Sequence, residues 1–233
     1  KPEPLLDAVA GYDFARLPAN ELAAVLTVLE PEAGREAALI KAAEAALVGE
    51  NTPVDLLTRA ALLLGQRQRD SLRQPEKAVA VYRQALARKG LNRRQQAELI
   101  RQIGDTLFYY LGDLDGALNE YDQVVGRFAD VMAADIVRVT KIKIGDIFRR
   151  RGRGDQARRV YLEAEALKAE KLSFAQETVR KGALYKAVDD YLRRKEVDAA
   201  SKWLEILEWE FPLEKLDGYS SIARARVALA SGQ

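Results

Sequence analysis

The residues available for chemistry are restricted before any pattern is considered: among 233 residues there is no His and no Cys. That removes Ser-His-Asp and Cys-His nucleophile systems, His/Cys metal sites, disulfides and the common near-neutral proton shuttle. Carboxylates, Lys, Arg, Tyr, Ser and Thr remain. Two carboxylates can hydrolyse glycosides without His or Cys, yet no acidic pair here is set in an apolar run that would raise the pKa of one member. No Gly-x-x-x-x-Gly-Lys-[Ser/Thr] phosphate loop and no dinucleotide fingerprint occurs. The expectation is a noncatalytic chain with no catalytic residue, no metal and no cofactor.

The elements that must position any remaining chemistry are helices. Ala (37) and Leu (31) dominate beside 31% charged residues and only 7% aromatic ones, a composition of strong helix formers. The 37 basic and 35 acidic side chains nearly cancel, so no global field draws the chain to nucleic acid or to an anionic membrane. No run approaches the roughly 18 apolar residues of a membrane span. The start, Lys1-Pro2-Glu3-Pro4, has no Met and reads as an excised domain or a processed product. Six of the seven prolines lie in the first third, and residues 76–211 contain none, which permits long helices broken by Gly and polar turns. Thr52 is expected to cap a helix with Pro53 in its first turn, and Pro31 to open the run Glu32 to Val48. Asn92-x-x-Gln95 and Ser173-x-x-Gln176 read as capping boxes. Ten or eleven helices and no strand follow, folded back by connectors such as Leu111-Gly112-Asp113 and Arg151-Gly152-Arg153-Gly154-Asp155.

Internal repetition is the strongest signal. Ala78-Val-Ala-Val-Tyr82-Arg-Gln-Ala85, Ala117-Leu-Asn-Glu-Tyr121-Asp-Gln-Val124 and Ala157-Arg-Arg-Val-Tyr161-Leu-Glu-Ala164 superpose, and the steps from Ala78 to Ala117 and from Ala117 to Ala157 are almost equal. Leu64-Gly65, Ile103-Gly104 and Ile144-Gly145 precede those alanines at a nearly constant separation. Ala199-Ala200-Ser-Lys-Trp203-Leu204-Glu-Ile206-Leu207 is a degenerate fourth copy. A fixed period of about 40 residues built of two helices indicates a solenoid. Small residues let helices approach, and Tyr82, Tyr121, Tyr161 and Trp203 are expected to fill the space against the next pair.

These units resemble the tetratricopeptide repeat family, whose helix–turn–helix carries a large-small pair in its first helix and Ala, aromatic, Ala in its second. Ile144-Gly145-Asp-Ile-Phe148 with Gly152, Ala157, Tyr161 and Ala164 matches best, and the unit of Ile103-Gly104, Gly112, Ala117 and Tyr121 carries one extra residue before its turn. The units run longer than the family's usual length of about 34 residues. In that respect, and in Tyr121-Asp-Gln-Val-Val-Gly-Arg-Phe128, they are similar to repeats of bacterial envelope proteins such as barrel-assembly lipoproteins and the Tol-system coordinator. The resemblance implies an all-α fold, a right-handed α-α superhelix of antiparallel helix pairs. Residues 1–50 would form an N-terminal helical cap, 51–212 about four helix pairs, and 213–233 a terminal helix, the first half of a further repeat. It further implies a protein-interaction scaffold that binds a protein or peptide through the concave groove or the solenoid ends, with the bacterial periplasm or envelope as the expected compartment and the cytoplasm as the alternative. The alternative function is a helical accessory domain of a larger carbohydrate-active or cell-wall enzyme.

By the same resemblance Arg101, Asp105, Tyr109, Lys143, Asp146 and Arg150 face the groove. Asp105 and Asp146 stand where a chaperone-tail clamp needs Asn, which argues against that ligand. A solvated face of salt-bridged charges is the competing reading. The basic run Arg149-Arg150-Arg151-Gly-Arg153, with Arg158, Arg159, Arg138, Lys141 and Lys143, would suit phosphate or an acidic partner, or form an exposed Arg-rich turn; it lacks interleaved aromatics for base stacking. In Arg153-Gly154-Asp155 the Asp reads as a helix cap. Trp209, Phe211 and Tyr219 cluster with Glu205, Glu208, Glu210 and Glu214, as an interface or as cover for a missing continuation. Self-association through the C-terminal helix is a further expectation.

Overall fold

Glycine and tyrosine are the pair on which the helices are assembled. In the computed structural model, which describes residues 12–31, 35–168 and 171–232, the described residues contain eleven α-helices and no strand. They are α1 (Ala19–Leu29), α2 (Glu36–Val48), α3 (Val54–Gln66), α4 (Pro75–Leu86), α5 (Arg93–Thr106), α6 (Leu114–Arg127), α7 (Ala134–Arg150), α8 (Gly154–Glu165), α9 (Phe174–Arg193), α10 (Val197–Glu210) and α11 (Gly218–Ser231). The chain divides into two compact units, residues 1–131 and 132–233.

Local sequence explains most boundaries. Both expected capping boxes form: Asn92 and Gln95 exchange side-chain and backbone bonds at the start of α5, and Ser173 and Gln176 do so at α9. The Thr52 cap does not form. Pro53 itself is the N-cap of α3, in extended backbone and without a side-chain bond, so the helix begins one residue later than expected. Pro31 is likewise a turn residue, and α2 starts at Glu36 behind Arg35; Glu32 lies outside the described residues.

In the first unit each helix packs on the next, and first helices of successive pairs also touch, α1 with α3 and α3 with α5. The tyrosines do not chiefly fill space against the following pair. Each ring stands on the glycine of its own pair's first helix: a Cβ added at Gly65 would lie 2.3 Å from the Tyr82 ring, and one at Gly104 would lie 2.7 Å from Tyr121. In the second unit the same holds for Gly145 and Tyr161, at 2.2 Å. All three tyrosines are fully buried, as are their flanking Ala78, Ala85, Ala117, Val124, Ala157 and Ala164. Each buried ring contributes on the order of 2–3 kcal/mol by area alone.

The fourth copy shifts by one residue from the expected register. Ala200, Leu204 and Leu207 are buried, whereas Trp203 is only partly buried and Ile206 is exposed. Val188 then occupies the glycine position, since it precedes Leu204 by the same separation as Gly145 precedes Tyr161, and it too is buried. A Gly–Tyr contact gives way here to Val188 and Leu204 in one buried cluster, two aliphatic side chains in place of one ring on a glycine.

The turn inside each pair also keeps one shape. Arg73, Gly112, Gly152 and Lys195, each five positions before the repeat alanine, all adopt positive φ, at 55°, 66°, 70° and 62°. The extra residue in the first two pairs is absorbed as a π-turn at the end of the first helix, Arg67–Ser71 and Leu107–Leu111. There Leu72 N–H donates to Arg67 O five positions back. The third pair has neither the extra residue nor a π-turn.

The second unit departs from the stacking of the first. α8 makes its main onward contact with the 3₁₀ turn Pro212–Leu216 rather than with α9, while α9, α10 and α11 pack among themselves. Relative to Val188, α9 also begins nearly one helical turn earlier than α3, α5 and α7 begin relative to their glycines. Its first turns leave Phe174 and Val179 exposed.

Candidate functional site

On α5 and the turn that extends it, Arg101, Asp105 and Tyr109 recur at every fourth position, which places them on one helix face. Asp105 is buried. Its Oδ1 accepts the Tyr121 hydroxyl at 2.7 Å and its Oδ2 accepts Arg101 Nη1 at 2.9 Å, while Arg101 also grips Glu98. Tyr109 is half exposed, its ring edge-on to Phe108 at 4.7 Å. On α7, Lys143 and Asp146 are buried and Arg150 is exposed. Asp146 accepts the Tyr161 hydroxyl at 2.6 Å and Lys215 Nζ at 2.7 and 2.9 Å. Lys215 comes from the turn Pro212–Leu216 and is itself buried, between Tyr161 and the ring of Trp209, which lies 5.1 Å away. Arg101 and Asp105 thus come together in the first unit, and Asp146 meets Lys215 in the second.

These contacts tell what the carboxylates do. Burial, and then the charge of the adjacent Asp, pushes the Tyr121 and Tyr161 hydroxyls well above the usual phenol range. Both remain neutral donors that fix the Asp side chain and fill the seam between paired helices. Tyr82, whose glycine is followed by Gln66 instead of Asp, has a buried hydroxyl with no partner among the described residues and is pushed up to about 12 by burial. Asp189, following Val188, faces no phenol and binds Arg226 of α11 instead.

An open hollow of about 390 Å³ lies in the first unit along α1, α3 and α5, where Arg59, Leu62, Gln66 and Gln95 form part of its wall. Arg59 Nη1 donates to Thr27 and Nη2 to Glu30, at 2.8 and 2.7 Å, and Gln95 Nε2 donates to Asp55 at 2.6 Å. The sequence reading misses these residues because it transfers groove positions only onto α5 and α7; on the frame of Gly104, Arg101 and Asp105 correspond to Leu62 and Gln66 beside Gly65, and Arg59 lies one turn before Leu62 at the place of Glu98. Lys215 cannot be found this way, as no repeat position corresponds to it.

No protein-family model matches the chain, and no curated protein matches it in sequence.

The remaining candidates are largely used in packing. Arg138 donates to the backbone carbonyls of Trp209 and Glu210, and Lys141 pairs with Glu163. Arg153, Arg158 and Arg159 stay exposed. Arg153 is the N-cap of α8 and Asp155 lies inside its first turn, so the expected Asp cap is displaced by two positions. In the aromatic-acidic cluster, Glu208 binds Arg224 and Ser220, Glu210 binds Arg180, and Glu214 binds Lys181 and Tyr185. Phe211 is buried and Tyr219 lies edge-on to Tyr185. The cluster is a joint of the second unit. Among the described residues no group of three His, Cys, Asp or Glu side chains is placed to hold a metal ion, and no helix is long and apolar enough to cross a membrane.

Proposed function

We propose that the chain is a noncatalytic protein-binding scaffold of tetratricopeptide-like helix pairs, which takes a peptide or protein segment in the hollow along α1, α3 and α5. The observation that carries this reading is the hollow itself, an open surface between the end of α1 and the first helices α3 and α5 of two successive Gly–Tyr pairs, mixing an aliphatic floor at Leu62 and Leu63 with hydrogen-bonding side chains. That combination suits an extended segment whose backbone is bonded by amides such as Gln66 and Gln95 and whose apolar side chains reach the floor. A solenoid of helix pairs, an envelope compartment and the groove roles of Arg101, Asp105, Tyr109, Lys143, Asp146 and Arg150 belong to the same proposal. Asp105, Lys143 and Asp146 serve it through the shape they hold, since all three are buried.

Affinity capture from the source organism, with wild type and with Arg59→Glu/Gln66→Arg as bait, tests the reading. Gln66 is exposed and Arg59 half-buried with bonds to Thr27 and Glu30, so circular dichroism and urea unfolding check that the variant keeps the fold. The expected result is a partner retained by wild type and lost from the variant; identical partner sets from the two baits overturn the hollow as the site.

A further inference from the structure

α11 holds the place of a first helix. As α5 packs on both helices of the pair before it, α3 and α4, so α11 packs on α9 and α10, and Arg226 ties it to Asp189 of α9. It closes at Gly232 in the positive-φ backbone, at 75°, that turns the chain inside each pair. In the third and fourth pairs the turn residue, Gly152 or Lys195, comes seven positions after the seam residue, Gly145 or Val188. The same count back from Gly232 gives Ala225. Gly65, Gly104, Gly145 and Val188 are buried at their seams, whereas Ala225 is exposed. Ile222 and Leu229, the apolar residues on either side of it along one helix face, are 60% and 77% exposed. No second helix among the described residues covers this face.

The four pairs define what such a face accepts, because each repeat buries its apolar face only under a neighbour. Every covering helix has a small residue four positions before a large one: Ala78 and Tyr82, Ala117 and Tyr121, Ala157 and Tyr161, Ala200 and Leu204. A Cβ at the seam glycines would lie 2.2 to 2.7 Å from the tyrosine rings, so Ala225, which has a Cβ, rejects Tyr there and suits Leu, the residue that accompanies Val188. Charge follows from the preceding second helix. Where α6 covers Gly104, Glu120 stands between the two: a Cβ on Gly104 would lie 3.4 Å from the Glu120 Cβ, and Glu120 Oε1 lies 4.0 Å from Arg83 of α4. Arg83 directly follows Tyr82, and the residue in that place on α10, directly after Leu204, is Glu205. Glu205 is exposed and lines a groove with Arg224 and Ala228 of α11, as does Asp198 two turns earlier. Neither Glu205 nor Lys202, one turn before it, forms an ion pair among the described residues, while Arg224 and Arg226 are held by Glu208 and Asp189. A cation in the place of Glu120 meets at Glu205 the opposite charge to the one that α6 meets at Arg83.

We propose that the outer face of α11 docks an amphipathic helix of another protein, which completes a fifth pair. That helix sets Leu against Ala225, carries a small residue four positions before the Leu, and has Lys or Arg directly before it, facing Glu205. The proposal rests on the helix-pair reading of the scaffold but uses the second unit, not the hollow along α1, α3 and α5.

The test is fluorescence anisotropy with a fluorescein-labelled peptide of residues 113–127 of this chain carrying Glu120→Lys and Tyr121→Leu, a second helix remade for this face. The peptide is expected to bind wild type and to lose at least about tenfold in affinity on Ala225→Arg, which fills the seam from an exposed position. A peptide with Tyr121→Leu alone, which keeps Glu120, is expected to bind wild type a few-fold more weakly than the first peptide and Glu205→Lys more tightly than it. That reversal is one a merely unfolded variant does not give, and circular dichroism checks each variant. Arg59→Glu/Gln66→Arg is expected to bind as wild type. Absence of binding, undiminished binding by Ala225→Arg, or the same peptide preference in wild type and Glu205→Lys each overturn the proposal. Loss only in Arg59→Glu/Gln66→Arg overturns it too, while supporting the hollow as the site. Sedimentation velocity of the chain alone is expected to show a monomer; a dimer that Ala225→Arg dissociates gives the face to a second copy and overturns the proposal.

Discussion

The hairpin of α5 and α6 in the first unit and the hairpin of α7 and α8 in the second start from the same sequence device and compensate its charge differently. Both place an Asp directly after the seam glycine and bury it under a tyrosine hydroxyl. At Asp105 the balancing cation is Arg101, one helical turn earlier on the same helix and partly open to water. At Asp146 the residue one turn earlier is Ile142, and the cation is Lys215, 69 residues away and buried. The local pair stays within α5, whereas the remote pair ties α7 to the turn Pro212–Leu216. The difference teaches that one buried carboxylate can be a property of a helix in one setting and a tertiary latch in another.

Lys215→Met is expected to give the largest effect. It leaves Asp146 ionised in a buried site with the Tyr161 hydroxyl and, as its remaining cation, Arg149 at 3.9 Å, at a cost of about 3–5 kcal/mol. Arg101→Met removes a part-exposed partner while the Asp105–Tyr121 bond persists, and should cost about 1 kcal/mol or less. Adding Asp146→Asn to Lys215→Met should recover much of the loss, since the uncompensated charge disappears. Urea unfolding of wild type and the three variants measures this, and equal losses for Lys215→Met and Arg101→Met would erase the distinction between latch and local pair.

The seam offers a second way to sharpen the comparison, through the natural exchange of Gly–Tyr for Val–Leu at Val188 and Leu204. Gly65→Val places a side chain into the Tyr82 ring and should cost about 3 kcal/mol by overpacking. Combining it with Tyr82→Leu rebuilds the Val–Leu seam and should return at least half of that. Tyr82 is the right partner because its hydroxyl bonds nothing that the substitution would strand. A double variant no better than Gly65→Val alone would show that the seam of the fourth pair depends on its own surroundings.

Much of the fold is legible in the sequence. Helix content, the absence of strands among the described residues, both capping boxes and three of four aromatic positions follow from periodicity and local chemistry, because Ala, Gly and Tyr at fixed separations report a contact repeated within each pair. The departures share a cause, which is that a locally favourable residue is overruled by its surroundings. Trp203 continues the aromatic series, yet the register is set by the turn at Lys195 and by buried Ala200, which bring Leu204 to the seam. Thr52 is a good capping residue, but Pro53 keeps an extended ψ of 143° and takes the N-cap position itself. The latch from Lys215 is invisible in the sequence because long-range ion pairs carry no period. Of the site, the carboxylates can be named from the repeat, but their burial cannot.

Tyrosine hydroxyls give a smaller contrast. Tyr121→Phe strands one oxygen of buried Asp105 and should cost about 1–3 kcal/mol. Tyr82→Phe removes a hydroxyl that has no partner and should be neutral within about 0.5 kcal/mol or slightly stabilising. Urea midpoints compare the two, and equal losses would mean that ring packing, not the Asp bond, carries the difference.

The smallest expected effect compares the turns themselves. Lys195 and Arg73 hold the left-handed backbone that Gly112 and Gly152 adopt freely. An L side chain there costs roughly 1–2 kcal/mol, and the greater freedom of glycine in the unfolded chain offsets about 0.5–1 kcal/mol of that. Lys195→Gly should therefore raise stability by about 0.5–1 kcal/mol, seen as a higher urea midpoint at unchanged slope, whereas Gly152→Ala should lower it. Arg73→Gly should gain as much as Lys195→Gly, since the two turns share one geometry.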